Sequence, residues 1–298
     1  MADDYNIQGI VKMHRKTGRM IREDNSYINM ADYEANSHVD YYKKTLDYGI
    51  EAAKGNVPNV SIIQKFGRNT AVSSTFVPIC LGGFYRTPTT NTALEVVSTD
   101  ADDNASGAGA RTIYYEGLQE SNGSLVVVSD VVELDGLTPV ALPDSLIRLY
   151  RWYVASSGVY ANQSVGSHQG DLTIQESGAG NVWAKIENNG FPRAQGQIAA
   201  YTVPTGYTAY VSKISYSVES DKEADILMFK REGVLNTTAP YNAMTLVTEI
   251  NSATGNYTVD LDVPYVFEEE TDLGFIGKLK ANTGPMTIDF TIYLVQNG

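Results

Sequence analysis

The stretch QGQIAAYTVPTGYTAYVSKISYSVESDKEADILMFKRE, residues 195–232, indicates the fold class. It has no helical spacing of apolar residues and predicts three consecutive β-strands, at residues 198–203, 208–218 and 224–231. Pro204 and Gly206 predict a turn between the first two strands, because proline fixes φ and glycine accepts a positive φ. The stretch carries no catalytic pattern, so it predicts architecture and not chemistry.

The second of these strands has the period of two that is typical of a half-buried strand. Regular alternation places Tyr210, Ile214 and Val218 on one face of the strand, and Val211 and Lys213 on the other. We therefore expect a half-buried strand.

Working outward, the rest of the chain also consists of short strand-like runs separated by polar or glycine-rich breaks. Gly67-Arg68-Asn69 predicts the end of one strand, and Asn122-Gly123 predicts a hairpin turn. The close spacing of the strands favours a sandwich or jelly roll. The other candidate strands lie at residues 60–66, 75–81, 93–98, 111–117, 123–128, 131–134, 147–156, 171–175, 182–186, 244–250, 256–266 and 287–295.

The N-terminal region differs from this pattern. Residues 1–39 mix isolated apolar residues with charges, so we interpret them as an extended arm, with a disordered tail as the alternative. Residues 40–55 predict one short helix, capped by Asp40 and ended by Gly55. The predicted fold class is therefore mainly β, with β-sandwich or jelly-roll-like regions, an N-terminal extended arm and one short helix. The predicted domains are residues 1–69, 70–158 and 159–298.

Charge is unevenly distributed along the chain. Residues 1–70 hold 10 Lys/Arg against 9 Asp/Glu, a net of +1, and residues 71–298 hold 12 against 26, a net of −14. An acidic body is poorly suited to bind a nucleic-acid backbone, so we expect no nucleic-acid partner.

The basic cluster of the arm, with a nearby tyrosine, is the candidate partner-docking site. A nucleic-acid contact is disfavoured because the cluster is short, lacks interleaved aromatic residues and is followed by Glu23 and Asp24. We expect the cluster to dock onto an acidic protein surface. The docking residues are Lys12, Arg15, Lys16, Arg19, Arg22 and Tyr27.

Two acidic clusters are interpreted as exposed loops. Asp100 to Asn104 place oxygen atoms at alternate positions, as calcium prefers, but Ala105 stands where a calcium loop needs glycine. Whether this loop binds Ca²⁺ is left open by the sequence. Glu268 to Asp272 predict an exposed acidic face. We expect no metal site and no cofactor.

No catalytic constellation emerges from the sequence. Ser167, His168 and Asp171 are neighbours in the chain, but a triad is defined by spatial geometry, and no G-x-S-x-G turn is present. Cys80 lies in an apolar run, which predicts a small buried side chain. We therefore expect a protein without enzymatic activity.

The N-terminal residues MADDYNIQG lack the basic and apolar segments of a secretory signal. No apolar run is long enough to span a membrane, so we expect no membrane partner. A single cysteine fits a protein that folds in a reducing compartment, or one that needs no disulfide for its stability.

Three stretches resemble a known group of proteins: residues 57–69 (VPNVSIIQKFGRN), 98–112 (STDADDNASGAGART) and 200–210 (AYTVPTGYTAY). In that order they resemble uncharacterised virion structural proteins of tailed bacteriophages, over roughly residues 55–298. The resemblance implies a β-rich, non-enzymatic component of a virion that is assembled in the cytoplasm of the bacterial host.

The first expectation from this resemblance is a capsid-associated decoration or cement protein, a homotrimer or other homo-oligomer, whose arm docks on the major capsid protein. The alternative is a tail, neck or fibre component that contacts other tail or neck proteins and can include a receptor-binding role.

Overall fold

Antiparallel β-sheets account for most of the structure, a computed structural model that describes residues 48–188 and 193–298 and the strand residues 4–7, 11–14 and 20–22. The mainly β class predicted from the sequence is confirmed. The chain divides into two units, residues 1–58 and 59–298. The strands are β1 (Asp4–Ile7), β2 (Val11–His14), β3 (Met20–Arg22), β4 (Val60–Val72), β5 (Val77–Pro78), β6 (Thr92–Ser98), β7 (Ala110–Ser121), β8 (Ser124–Glu133), β9 (Val140–Leu146), β10 (Arg148–Ser157), β11 (Leu172–Glu176), β12 (Val182–Ile186), β13 (Ala200–Thr202), β14 (Tyr207–Val218), β15 (Ala224–Arg231), β16 (Thr245–Ala253), β17 (Asn256–Phe267), β18 (Asp272–Leu279) and β19 (Gly284–Gln296).

The first unit contains a small antiparallel sheet in the order β1-β2-β3, which the irregular sequence pattern of the arm does not predict. It also contains the short helix α1, Tyr48–Ala53. Gly55 follows the helix with φ of 75° and donates its N–H to the carbonyl of Ala52, which confirms the predicted stop. Residues 40–47 of the predicted helix, including the Asp40 cap, lie outside the described residues.

In the second unit, two sheets share one hydrophobic core, which we call the middle module. Its sheets have the strand orders β10-β7-β8 and β12-β11-β6-β9. Trp152, Tyr115 and Ile174 are among the residues buried between them. The module spans the boundary that the sequence analysis placed after residue 158, because β10 and β11 lie on either side of it.

Two further sheets form what we call the C-terminal module. Their orders are β13-β18-β15-β16, with β5 paired to β18, and β17-β14-β19-β4. Met228, Phe275 and Phe290 are buried between them. Strand β4 precedes the middle module in sequence, so the chain enters the C-terminal module, builds the middle one and returns.

Two local predictions are wrong, and each has a packing reason. Strand β4 continues through residues 67–69 instead of ending there, because Gly67 allows a close approach: a Cβ atom there would lie 2.3 Å from the backbone nitrogen of Ala199. Strand β14 changes its buried face, since a bulge between Val211 and Lys213 inserts one extra residue. Val211 and Ile214 are consequently both buried.

The hairpin prediction is confirmed. Asn122 and Gly123 have φ angles of 52° and 78° and join Ser121 to its cross-strand partner Ser124. Positive φ at both loop residues is what a two-residue hairpin requires, so β7 and β8 pair in register along their length.

A buried ion pair joins the two modules. Arg148, at the start of β10, donates from Nε and Nη2 to the two carboxylate oxygens of Asp272 on β18, both at 2.8 Å, and both side chains are 1% exposed. The hydroxyl of Thr202 and a guanidinium N–H of Arg231 also donate to this carboxylate, each at 2.6 Å. The pair therefore holds β10 of the middle module against the start of β18 in the C-terminal module.

Burial by itself raises the pKa of the Asp272 carboxyl. The hydrogen bonds and the charge of Arg148, aided by Thr202 and Arg231, outweigh that effect and hold the pKa below its usual value. The prediction that residues 268–272 form one exposed acidic face is thus wrong at Asp272: Glu268 and Glu269 are exposed, but β18 begins at Asp272 and carries it inward.

Candidate functional site

The docking residues predicted from the sequence are only partly within the described residues. Lys12 lies on β2 opposite Ile21, and Arg22 lies on β3 opposite Val11. The other docking residues are outside the described residues: Arg15, Lys16, Arg19 and Tyr27. The docking site therefore stays a prediction.

The acidic loop at residues 100–104 is organised by Asp103, which is fully buried, so the interpretation of this cluster as an exposed loop is wrong at Asp103. Its carboxylate accepts hydrogen bonds from the Ser98 hydroxyl at 2.6 Å and from the backbone N–H groups of Ala110, Gln169 and Gly170 at 2.7–2.9 Å. These donors occupy both oxygens, so Asp103 ties three segments together. Among the described residues, no group of three or more His, Cys, Asp or Glu side chains is arranged to hold a metal ion.

Among the described residues, no hydrogen bond joins His168 to Ser167 or Asp171, the side chains considered for a catalytic relay. Asp171 pairs with Lys185 at 2.8 Å, and its carboxyl pKa, which burial raises, is held below the usual value chiefly by that lysine and the N–H of Asn188. His168 is buried, and neither of its ring nitrogens has a hydrogen-bond partner within the described residues. Cys80 is buried as predicted, and burial raises its thiol pKa to about 12.

The second unit contains a cavity of about 840 Å³, which we call the arginine cavity. One wall is the outer face of the sheet β17-β14-β19-β4, where Arg68, Thr287 and Ser217 are cross-strand partners and form a row. The opposite wall consists of Tyr153 on β10 and the segment 193–197. The cavity therefore lies where the two modules meet.

Backbone hydrogen bonds fix the segment 193–197 in place. The N–H of Val154 donates to the carbonyl of Ala194 at 2.8 Å, and the N–H of Gly196 donates to the carbonyl of Trp152 at 2.9 Å. Gly196 packs so closely on the indole of Trp152 that a Cβ atom there would lie 2.1 Å from its nitrogen. The segment thus pairs alongside β10 in the antiparallel sense.

Two guanidinium groups face the arginine cavity. Partial burial, and then the positive charge of Arg68, lower the pKa of Arg193 below its usual value, while Glu187 opposes this effect. Arg68 forms no ion pair with any carboxylate of the described chain. Residues 59–298 hold 14 Lys/Arg against 26 Asp/Glu, a net of −12. The two arginines therefore place positive charge in a cavity of a unit that is negatively charged overall.

The cavity also contains a buried amide without a full set of partners. Gln197 is 3% exposed, and its Oε1 accepts no hydrogen bond from the described residues. The sequence did not predict this site. Arg68 lay in the predicted end of a strand, and Gln197 immediately preceded another predicted strand. No spacing signal connects residues that are more than a hundred positions apart.

A smaller cavity of about 210 Å³ adjoins the first and contains Lys65 of β4. The ammonium group of Lys65 is buried and donates to the backbone carbonyl of Tyr150. Burial, and then the charge of Arg151, lower the pKa of Lys65 to about 7. The position of Lys65 on the inner side of β4, away from solvent, accounts for this lowered pKa.

A different kind of surface lies at the open edges of the C-terminal module. Strands β16 and β17 are the end strands of their two sheets among the described residues, and one follows the other in the chain. They expose Leu246, Tyr257 and Val263, at 55%, 58% and 78%. Unpaired strand edges with exposed apolar side chains are a common basis for association between chains. We call this surface the open edge.

No helix among the described residues is long and apolar enough to cross a membrane.

Comparisons with known proteins do not show which family the chain belongs to. No protein-family model matches the chain, and no curated protein matches it. Among solved structures, a tryptic core variant of Cry1Da from Bacillus thuringiensis is 10% identical, and the alignment covers 76% of this chain and 53% of that one. This chain thus spans about half the length of that protein. The TM-score is 0.16, so the likeness supports no statement about fold or function.

Proposed function

We propose that the chain is a non-enzymatic structural protein of a tailed-bacteriophage virion, and that it decorates the capsid as a cement-like protein. The resemblance of residues 57–69, 98–112 and 200–210 to such proteins supports this proposal. The described structure is compatible with this proposal, since a buried ion pair joins the two β-modules and both belong to one compact unit.

The observation that carries the proposal is the open edge. A protein that reinforces a shell must bind its neighbours, and β16 and β17 offer long strand edges with exposed apolar side chains. Strand β16 contains no proline, so every backbone N–H and C=O on its side away from β15 can bond to a pairing strand. We propose that copies of this chain associate through this edge as a homo-oligomer, with a trimer as the first expectation.

The N-terminal basic residues are proposed to dock each copy on the major capsid protein. Their net positive charge complements an acidic shell surface better than the acidic body does. The alternative is a tail, neck or fibre component. The arginine cavity favours that alternative, because a receptor-binding protein needs a recess for its ligand.

Localising the protein on intact particles by electron microscopy tests the proposal. A copy number close to that of the capsid protein is expected for a decoration protein. A small number of copies confined to the tail or neck would contradict the decoration role and support the alternative.

Two variants test the surfaces separately. Leu246→Lys places a charge on the open edge and is expected to shift the purified protein towards the monomer in light-scattering chromatography, with Lys230→Gln on β15 as the control. Deletion of residues 1–39 is expected to abolish attachment to particles while the remaining chain stays folded. Normal attachment of the truncated protein would refute the docking role of the arm.

A further inference from the structure

The arginine cavity has the features of a ligand site that the virion proposal does not require. We propose that it binds an acidic sugar, with the sugar carboxylate on Arg68 and Arg193 and a ring hydroxyl donating to Oε1 of Gln197. This inference does not depend on whether the protein lies on the capsid or on the tail of a virion.

The carboxylate follows from the two guanidinium groups. Arg68 is half-buried, faces the cavity and has no carboxylate partner in the described chain, and Arg193 lines the same cavity. Two like charges that share a recess repel each other, and an anion between them removes the repulsion. Arginine presents paired N–H donors that match the two oxygens of a carboxylate.

The sugar follows from the acceptor next to the cations. Oε1 of Gln197 is buried without a donor, at a position where an unmade hydrogen bond is costly. A sulfate ion offers only acceptors and leaves this oxygen unsatisfied, whereas a hydroxyl donates to it. A ligand that satisfies both features must combine a negative charge with hydroxyl donors.

The rest of the lining fits the same ligand. The hydroxyls of Ser217 and Thr287 lie on the sheet wall in the row of Arg68, and the rings of Phe66 and Tyr153 supply apolar surface for the carbon face of a pyranose. Glu219, the carboxylate in the lining, is engaged by Lys222 at 3.2 Å. A volume of about 840 Å³ exceeds one sugar ring and leaves room for a short acidic oligosaccharide.

Titration calorimetry on the full chain tests the proposal, with glucuronate and a short oligogalacturonide as probes, and glucose and inorganic sulfate as comparisons. We expect the acidic sugars to bind roughly tenfold or more tightly than glucose, because a hydrogen bond to a charged group contributes that much. Arg68→Gln should weaken acidic-sugar binding by a similar factor. Lys230→Gln, a cation on β15 outside the cavity lining, should leave it unchanged.

A second variant separates binding from folding. Gln197→Leu removes the buried acceptor at similar volume, and it is expected to weaken glucuronate binding while the thermal midpoint stays close to that of the parent chain. Three results would overturn the proposal: no binding of either acidic sugar, equal binding by the Arg68→Gln protein, or sulfate binding as tight as that of glucuronate.

Discussion

Replacement of Asp272 by asparagine is expected to destabilise the second unit more than replacement of Arg148 by methionine. In the described chain Arg148 has Asp272 as its carboxylate partner, so Asp272→Asn leaves a guanidinium that is 1% exposed without a counter-charge. Arg148→Met leaves Asp272 paired with Arg231 and hydrogen-bonded to Thr202. Removing one partner of a buried pair costs about 3–5 kcal/mol, so we expect Asp272→Asn near the top of that range and Arg148→Met near its lower end.

Urea and thermal unfolding followed by far-ultraviolet circular dichroism measure this difference. For a unit of this size, about 3–5 kcal/mol corresponds to a fall of roughly 6–20 °C in the thermal midpoint. Glu223→Gln is the control, since it removes an exposed carboxylate from its pair with Lys280 and should leave the midpoint close to that of the parent. A loss below about 1 kcal/mol for Asp272→Asn, or a larger loss for Arg148→Met, would refute the reasoning.

The same pair has a pH signature. The pKa of Asp272 in the folded chain is below its unfolded value of about 3.9, so the carboxylate contributes its full stability above that pH. The contribution is lost as the pH falls through the folded pKa. The parent chain should therefore lose stability more steeply below about pH 4 than the Asp272→Asn protein does. Equal slopes in urea titrations across this window would show that Asp272 is not responsible.

Three further predictions follow from local packing. Gly67→Ala should lower the free energy of unfolding by about 1–3 kcal/mol or more in urea titrations, because the added methyl group meets the Ala199 backbone, whereas Ser61→Ala on the same strand should be neutral. The pKa of Lys65 is about 7 in the folded chain and about 10.4 in the unfolded chain, so the stability should rise with pH between these two values. Lys65→Met should remove this rise, and a rise that persists would point to another group. Asp103→Ala should lower the free energy of unfolding by at least about 3 kcal/mol, because four hydrogen-bond donors lose their acceptor. Millimolar calcium should not shift the thermal midpoint of the parent chain.

Signals carried by neighbouring residues could be predicted well from the sequence. Residues 182–186 and 224–231 form strands with the predicted bounds, and the Asn122-Gly123 turn has the predicted geometry. In each case the deciding property is local: a β-branched run, an alternating pattern, or residues that accept positive φ.

What could not be predicted depends on distant contacts. Gly67 reads as a strand end, yet in the fold it is the point where β4 meets Ala199. Asp272 reads as the last member of an acidic run, yet Arg148, more than a hundred residues away, supplies the charge that allows its burial. Strands β9 and β18 were missed because proline, glycine or acidic residues interrupt their patterns.

The candidate site is the extreme case of this limit. Arg68, Tyr153 and Gln197 come from β4, β10 and the approach to β13, and only the return of the chain to the C-terminal module brings them to one cavity. None of them stands in a motif, so no spacing in the sequence marks them.

The division into two cores also gives the protein a built-in reporter. Both tryptophans of the chain, Trp152 and Trp183, are buried in the middle module, whereas the C-terminal core contains tyrosine and phenylalanine but no tryptophan. Indole fluorescence therefore follows the middle module alone, while circular dichroism follows both. If the two signals change together on unfolding, the ion pair and the shared contacts couple the modules into one cooperative unit; if they separate, each module melts on its own.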